Sequence, residues 1–311
     1  MSPKRVLTIA AIALVLYAGF AYWVLTNFEI PPLRGAALGM VLVAALCQIG
    51  AKWFFGLLFK ESIQETGSDV RAWSAFKAAL VGAGVARLIP AGGAITPVAM
   101  SWTVRDEVES TAGPGIRTVL LNYAGLLIMA GGAVLIERPT GTIPVFSISI
   151  IVLAPIVLVV GALLMFGSGR LGSISKYLPR VIRKKVETSM VNHLPGWESQ
   201  IYIWARLALE AAALWLVMLA FNIDLNVWEV IAVYAVSQLV GGLPGTPGGL
   251  GVTEFGMGLV LAAYGFPAST TVAPILIYRV VSYWLPAGLS FLAGGSIFLR
   301  SDEAKAAAEA D

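Results

Sequence analysis

Charge is scarce in this chain. Aspartate, glutamate, lysine and arginine make up 13% of its 311 residues, and 58% are hydrophobic. A soluble domain carries about a quarter charged residues. The shortage excludes a soluble enzyme, a disordered chain and a secreted disulfide scaffold. Cysteine and histidine are nearly missing as well. Cys47 alone excludes an intrachain disulfide, and His193 alone excludes a histidine-built metal site. The phosphate-loop pattern G-x-x-x-x-G-K-[ST], H-E-x-x-H and Cys-x-x-Cys do not occur. Ser173-Ile-Ser-Lys176 fits S-x-x-K but lacks its S-D-N and K-T-G partners. No catalytic residue, metal or cofactor is therefore expected, and the chain does not read as an enzyme.

What is present is apolar sequence in long runs. About 20 residues are needed for a helix to cross the hydrocarbon core. Six runs qualify: 6–25, 35–59, 118–136, 143–166, 201–221 and 270–299. The first follows Lys4 and Arg5 and is read as a retained span, because it is long for a signal peptide and lacks a cleavage site. Two further stretches, 76–104 and 228–265, are interrupted. The first breaks at Pro90-Ala-Gly-Gly93 and the second at Pro244-Gly-Thr-Pro247-Gly-Gly-Leu-Gly251. The pieces on either side are too short to cross alone. Irregular backbone survives at membrane depth only where protein or a watery cavity covers it. The predicted fold is an all-α integral membrane protein of six spanning helices plus two re-entrant hairpins.

The basic residues orient this arrangement. With a cytoplasmic N-terminus, 16 of the 21 fall on the cytoplasmic side and only Arg34 and Arg138 outside, with Lys52, Arg87 and Arg279 left in the membrane. Both termini are expected in the cytoplasm, and the protein in the cell membrane. The positive charge is thereby explained without nucleic acid. Residues 175–194 place Lys176, Arg180, Arg183 and Lys184 on one helical face and Leu178, Val181, Ile182 and Val186 on the other. That is the pattern of an interfacial amphipathic helix on an anionic leaflet.

Pro90 and Pro247 lie 157 positions apart, and at that offset Ile95 meets Val252 and Thr96 meets Thr253. Each half reads span, span, hairpin, span. Three crossings per half invert the second half relative to the first. The expected units are 1–140, 141–300 and a short cytoplasmic tail, 301–311. Interrupted segments at matching positions are the signature of an inverted-repeat transporter.

A few polar residues lie where lipid should exclude them. Arg87 is about eleven residues into the first hairpin, on the order of 16 Å deep, and Arg279 is on the order of 14 Å into the last span. A charge near the midplane costs at least roughly 2.5–3.5 kcal/mol, so it faces protein or water. Glu254 opens the helix after the second break, where an acid is favoured. Two readings of these residues stand side by side. In one, Gly245, Gly248, Gly249 and Gly251 bare backbone N–H groups beside Thr253, and Arg279, Arg87 and Tyr278 complete an anion site. In the other, Glu254 and Arg279 are a structural pair. Gly92 and Gly93 are the counterparts in the first break, Pro90, Pro244 and Pro247 are the hinge positions, and Asn122 occupies the position equivalent to Arg279. Lys52 is expected to snorkel to the cytoplasmic face. Arg206 and Glu210 read as a structural i,i+4 pair near a helix end.

The run Pro247-Gly-Gly-Leu-Gly-Val-Thr253-Glu254, followed by Tyr278-Arg279-Val-Val-Ser-Tyr-Trp-Leu-Pro286, resembles the lysylphosphatidylglycerol synthase transmembrane-region family, also called the flippase-like domain family. The likeness covers nearly the whole chain. Many members carry Arg-x-Gly-Glu in the first half, where this chain has Pro90-Ala-Gly-Gly93. The resemblance implies movement of lipids, a phospholipid or a lipid-linked glycan, across the bilayer. It also implies membrane lipids with an anionic or amphoteric head group as partners, and a lipid or glycan synthase as a further partner. The chain looks like the membrane part without the aminoacyltransferase domain, so it is not expected to make lysyl-lipid. A membrane-embedded lipid-modifying enzyme and a non-transporting scaffold remain as alternatives.

Overall fold

The computed structural model describes residues 34–88, 92–108, 112–140, 144–166, 195–242 and 247–294, with Gly19, Tyr22 and Thr26. The expected first span at 6–25, the amphipathic segment 175–194 and the tail lie outside the described residues, apart from Gly19 and Tyr22. Among the described residues every regular element is helical. Five helices are long and apolar enough to cross a membrane. They are α1 (Ala36–Gln64), α4 (Ala112–Ile136), α5 (Pro144–Phe166), α6 (Trp197–Ala220) and the last helix. That last helix runs as α9 (Ala268–Arg279), passes through a π-helical turn at Val280–Trp284 and continues to Gly294. Between them lie two pairs of shorter helices, α2 (Ala72–Leu88) with α3 (Gly92–Thr103), and α7 (Val227–Gly241) with α8 (Val252–Ala263).

Small residues set the packing, as lipid leaves helices little hydrophobic reason to associate. A Cβ on Gly161 of α5 would lie 2.8 Å from Leu127 Cβ and 2.9 Å from Ala124 O of α4. One on Gly56 of α1 would lie 2.8 Å from Phe76 Cα of α2. Helices α1 and α6 form the most extensive contact in the fold. In contrast, α5 is peripheral: only 17% of its most apolar window is buried, against 56% for the last helix. Ile148, Val152, Ile156, Val159 and Leu163 of α5 are exposed at helical spacing, as a lipid-facing stripe requires.

Polar contacts show which helix ends share a side. Lys60 near the end of α1 donates to Asp69 at 2.5 Å. That contact draws the Asp69 carboxyl below its usual range. Arg117 at the start of α4 pairs with Glu65 at 2.7 Å. Glu107, just past α3, accepts from Ser74 Oγ at 2.6 Å near the start of α2. Ser199, at the start of α6, donates to Glu61. The α2–α3 pair therefore begins and ends at one end of the bundle. The α7–α8 pair begins and ends at the other. Its first turn is held by an Asn226–Glu229 capping box. Tyr264, which caps α8, donates to the Glu137 carbonyl just past α4 at 2.9 Å. The breaks of the two pairs meet between these ends. Gly248 lies against Arg87, such that a Cβ on Gly248 would approach Arg87 Cα to 2.8 Å.

Two expectations need correction. Helix α1 does not stop at 59 but runs to Gln64, because Lys60 and Glu61 find partners without breaking the helix. The first hairpin starts at Ala72, four residues before the expected 76.

Candidate functional site

The second break is built on glycine because its backbone turns left-handed. Gly248, Gly249 and Gly251 have φ values of 57°, 68° and 79°, a region that side chains with a Cβ avoid. A short 3₁₀ turn over Pro247–Gly249 then leads, through Gly251 as N-cap, into α8. Glu254 sits in the first turn of α8, and its Oε1 accepts from Arg279 Nε at 2.8 Å. Both side chains are more than nine-tenths buried. Arg279 Nη2 also donates to the Gly248 carbonyl at 3.4 Å. The last helix is thus tied to the break by a charged side chain at both anchor points.

Arg87 closes the first half of the site from the last turn of α2. Its Nη1 donates to the Ala83 carbonyl at 2.7 Å and its Nη2 to the Ser282 carbonyl at 2.8 Å. The second bond reaches into the π-helical turn. Such turns shift the i→i+4 ladder and recur at functional sites. Tyr283, from the same turn, donates to the Arg87 carbonyl at 2.8 Å. Its ring carries both guanidinium groups, with Arg279 Cζ 4.7 Å and Arg87 Cζ 5.5 Å from the centroid. Two cations are held near one another by a shared aromatic face.

These residues surround a cavity of about 200 Å³. Of the expected site residues, Arg279, Arg87, Gly248, Gly249, Thr253, Gly93, Asn122 and Tyr278 line it. Glu254 stands behind Arg279 rather than on the wall. Gly251 faces open space, with nothing within 4 Å of where its Cβ would be. Gly92 begins α3. Pro247 opens the 3₁₀ turn, and Pro90, Pro244 and Gly245 lie outside the described residues.

The remaining wall was not anticipated as part of the site. Lys52 of α1 and Arg206 and Glu210 of α6 line the same cavity. Lys52 Nζ donates to Glu210 Oε1 at 2.6 Å, and Arg206 Nη2 donates to the same oxygen at 3.2 Å. Tyr234 donates to Oε2. Lys52 lies nine residues before Glu61 and Glu210 eleven after Ser199. At 1.5 Å per residue both are about 15 Å in from the Glu61–Ser199 contact. Lys52 does not snorkel, because the longer α1 sets it too deep, and Arg206 and Glu210 are not a helix-end pair, because α6 begins at Trp197 and carries both in its middle. Arg206 Cζ lies 4.5 Å from the Phe55 centroid. Its Nε and Nη1 have no hydrogen-bond partner among the described residues. A buried cluster of ionisable groups in a lining helix was the available signal, since such residues in a membrane segment mark a pathway by default.

Known proteins are similar to this chain in part of its sequence. A UPF0104 membrane protein of Methanocaldococcus jannaschii is 36% identical over 101 residues, 32% of this chain and 30% of the relative. Two UPF0104 membrane proteins of Methanothermobacter thermautotrophicus are each 31% identical, over 90 and 78 residues, or 29% and 25% of this chain and 25% and 23% of theirs. The matched stretches span less than a third of the length of these relatives. Far longer is the match to the family described as lysylphosphatidylglycerol synthase TM region, which takes in residues 9–290. The chain, a multi-pass membrane protein by its apolar helices, belongs to that family.

Proposed function

We propose that the protein is a lipid translocator, not a lipid-modifying enzyme, built as an inverted repeat. The head group of a phospholipid or lipid-linked glycan crosses through the cavity between the two hairpin breaks while its tails stay in lipid. One observation carries this reading: hairpins entering from opposite ends meet, Gly248 against Arg87, beside a cavity lined by four cationic side chains. A site that opens alternately to two faces needs such a meeting point.

The helix bounds support the repeat. Adding 157 to the bounds of α1 gives 193–221, against 197–220 for α6. The same shift takes α2 to 229–245, against 227–241 for α7, and α3 to 249–260, against 252–263 for α8. It takes α4 to 269–293, against 268–294 for the last helix. On this reading the end carrying Lys60, Arg71, Arg105 and Arg117 is cytoplasmic, and Arg34 and Arg138 are outside.

The test uses purified protein in liposomes that carry fluorescent phospholipid, with the Arg279→Met/Glu254→Gln double variant as control. Removing both charges avoids leaving a lone buried one. The expected result is lipid movement by the wild type, and loss of at least about 90% of it in a double variant whose melting temperature stays close to wild type. Equal rates in the two proteins would overturn the role given to this pair.

A further inference from the structure

The charge around the cavity does not balance. Lys52, Arg87, Arg206 and Arg279 bring four positive charges to it. Against these stand two carboxylates, Glu210 on the wall and Glu254 behind Arg279. Among the described residues, the four cations less the two carboxylates leave a net charge of +2. Glu210 is fully engaged, with Oε1 taken by Lys52 and Arg206 and Oε2 by Tyr234. The other groups on the wall, Gln48, Asn122, Gln238, Tyr123, Tyr278 and Tyr283 among them, carry no charge in their ordinary forms.

The donors left over point to the same deficit. Arg206 is 8% exposed, and its Nε and Nη1 are without acceptors among the described residues. Arg87 Nε, on another lining helix, is in the same state among the described residues. Unpaired guanidinium N–H groups inside a protein are costly, and an anion relieves both the hydrogen-bond and the charge deficit. A phosphodiester supplies one negative charge. A phosphate monoester at neutral pH supplies close to two, with three acceptor oxygens. Guanidinium groups suit such an oxyanion because they donate in a planar fork.

We infer that the cavity is a dianion site, completed by Arg206 and Lys52, whose ligand is a dianionic phosphate monoester, the head group of a monoester lipid. The lipid as source of that phosphate rests on the translocator reading; the dianion preference rests on the charge count and Arg206. A zwitterionic or monoanionic diester leaves at least one positive charge uncompensated, so it binds more weakly.

Equilibrium binding to the full chain in detergent micelles tests this with three probes: farnesyl phosphate, inorganic phosphate and dihexanoyl phosphatidylglycerol. At pH 8, farnesyl phosphate is expected to bind about tenfold or more tightly than the diester. Its affinity should fall below about pH 6, where a phosphate monoester takes up its second proton, and level off near that of the diester, while the diester stays flat. Arg206→Gln, which leaves the Lys52–Glu210 pair in place, should bring monoester and diester within about threefold of each other, and Arg206→Lys should restore part of the difference. Equal affinity of monoester and diester at pH 8, or a monoester preference unchanged in Arg206→Gln, would overturn the assignment. Inorganic phosphate binding as tightly as farnesyl phosphate would keep the dianion site but remove the lipid as its source. Binding as expected without movement of farnesyl phosphate in liposomes would sink translocation alone, and movement of diester lipids with no monoester preference would sink the dianion site alone.

Discussion

Glu254 and Arg279 form an ion pair with almost no exposed surface, so each is the main compensation for the other's charge. Taking one away leaves a charge, or a forced protonation, inside the bundle. Glu254→Ala should cost roughly 3–5 kcal/mol. Removing both should cost less than half as much, and a double-mutant cycle on denaturation in detergent would measure the difference. Gly248 depends on geometry instead. Its φ of 57° strains any other residue, and an added Cβ would sit 2.5 Å from Tyr283 Cε2. Gly248→Ala should therefore cost on the order of 1–3 kcal/mol. It should also loosen the Tyr283–Arg87 contact, seen as a change in the fluorescence of the neighbouring Trp284, whose ring centroid is 5.2 Å from that of Tyr283.

Among the elements, α4 and α5 offer an internally controlled comparison. Gly161 lies in close contact with α4, whereas Gly132 of α4 has nothing within 4 Å of its Cβ position. Gly161→Leu should push α5 outward and lower the melting temperature by several degrees. Gly132→Ala should leave it within a degree or two, or raise it, because alanine is the better helix former. The sequence shows the hairpins readily, since Gly and Pro clusters break an apolar run locally and the break is visible within ten residues. The Arg279–Glu254 pair was legible for a related reason: both partners belong to one motif-bearing half. The Lys52–Glu210 pair was not, because its partners are 158 positions apart and join only when α1 packs on α6. The apolar run ends at 59, although Lys60 and Glu61 both stay helical, with Lys60 turned to Asp69 and Glu61 receiving the Ser199 hydroxyl. That placed the helix end too early and Lys52 too shallow. The π-helical turn left no signal either, as nothing in Val280-Val-Ser-Tyr-Trp284 distinguishes an i→i+5 turn from an α-helical one.

For the whole molecule, the proposed translocator architecture, with its two re-entrant hairpins, predicts opposite sidedness for chain segments that hydropathy alone treats alike. With Cys47 replaced by serine, single cysteines at Asp69 and Asp106, which flank the first hairpin, should react with an impermeant maleimide from the same face of the membrane. A cysteine at Asp224, before the second hairpin, should react from the other face. Labelling of positions 69 and 106 from opposite faces would mean that the first hairpin crosses. The uneven charge on the cavity wall has an electrical consequence. Moving charge through the membrane field is worth about 2.3 kcal/mol per elementary charge per 100 mV. A carrier whose empty cavity bears +2 must work with or against that field when it resets, whereas one holding a dianion is neutral there. The loaded step should then ignore membrane voltage and the empty return step should follow it, so that the cell's own potential sets the direction in which such a carrier runs.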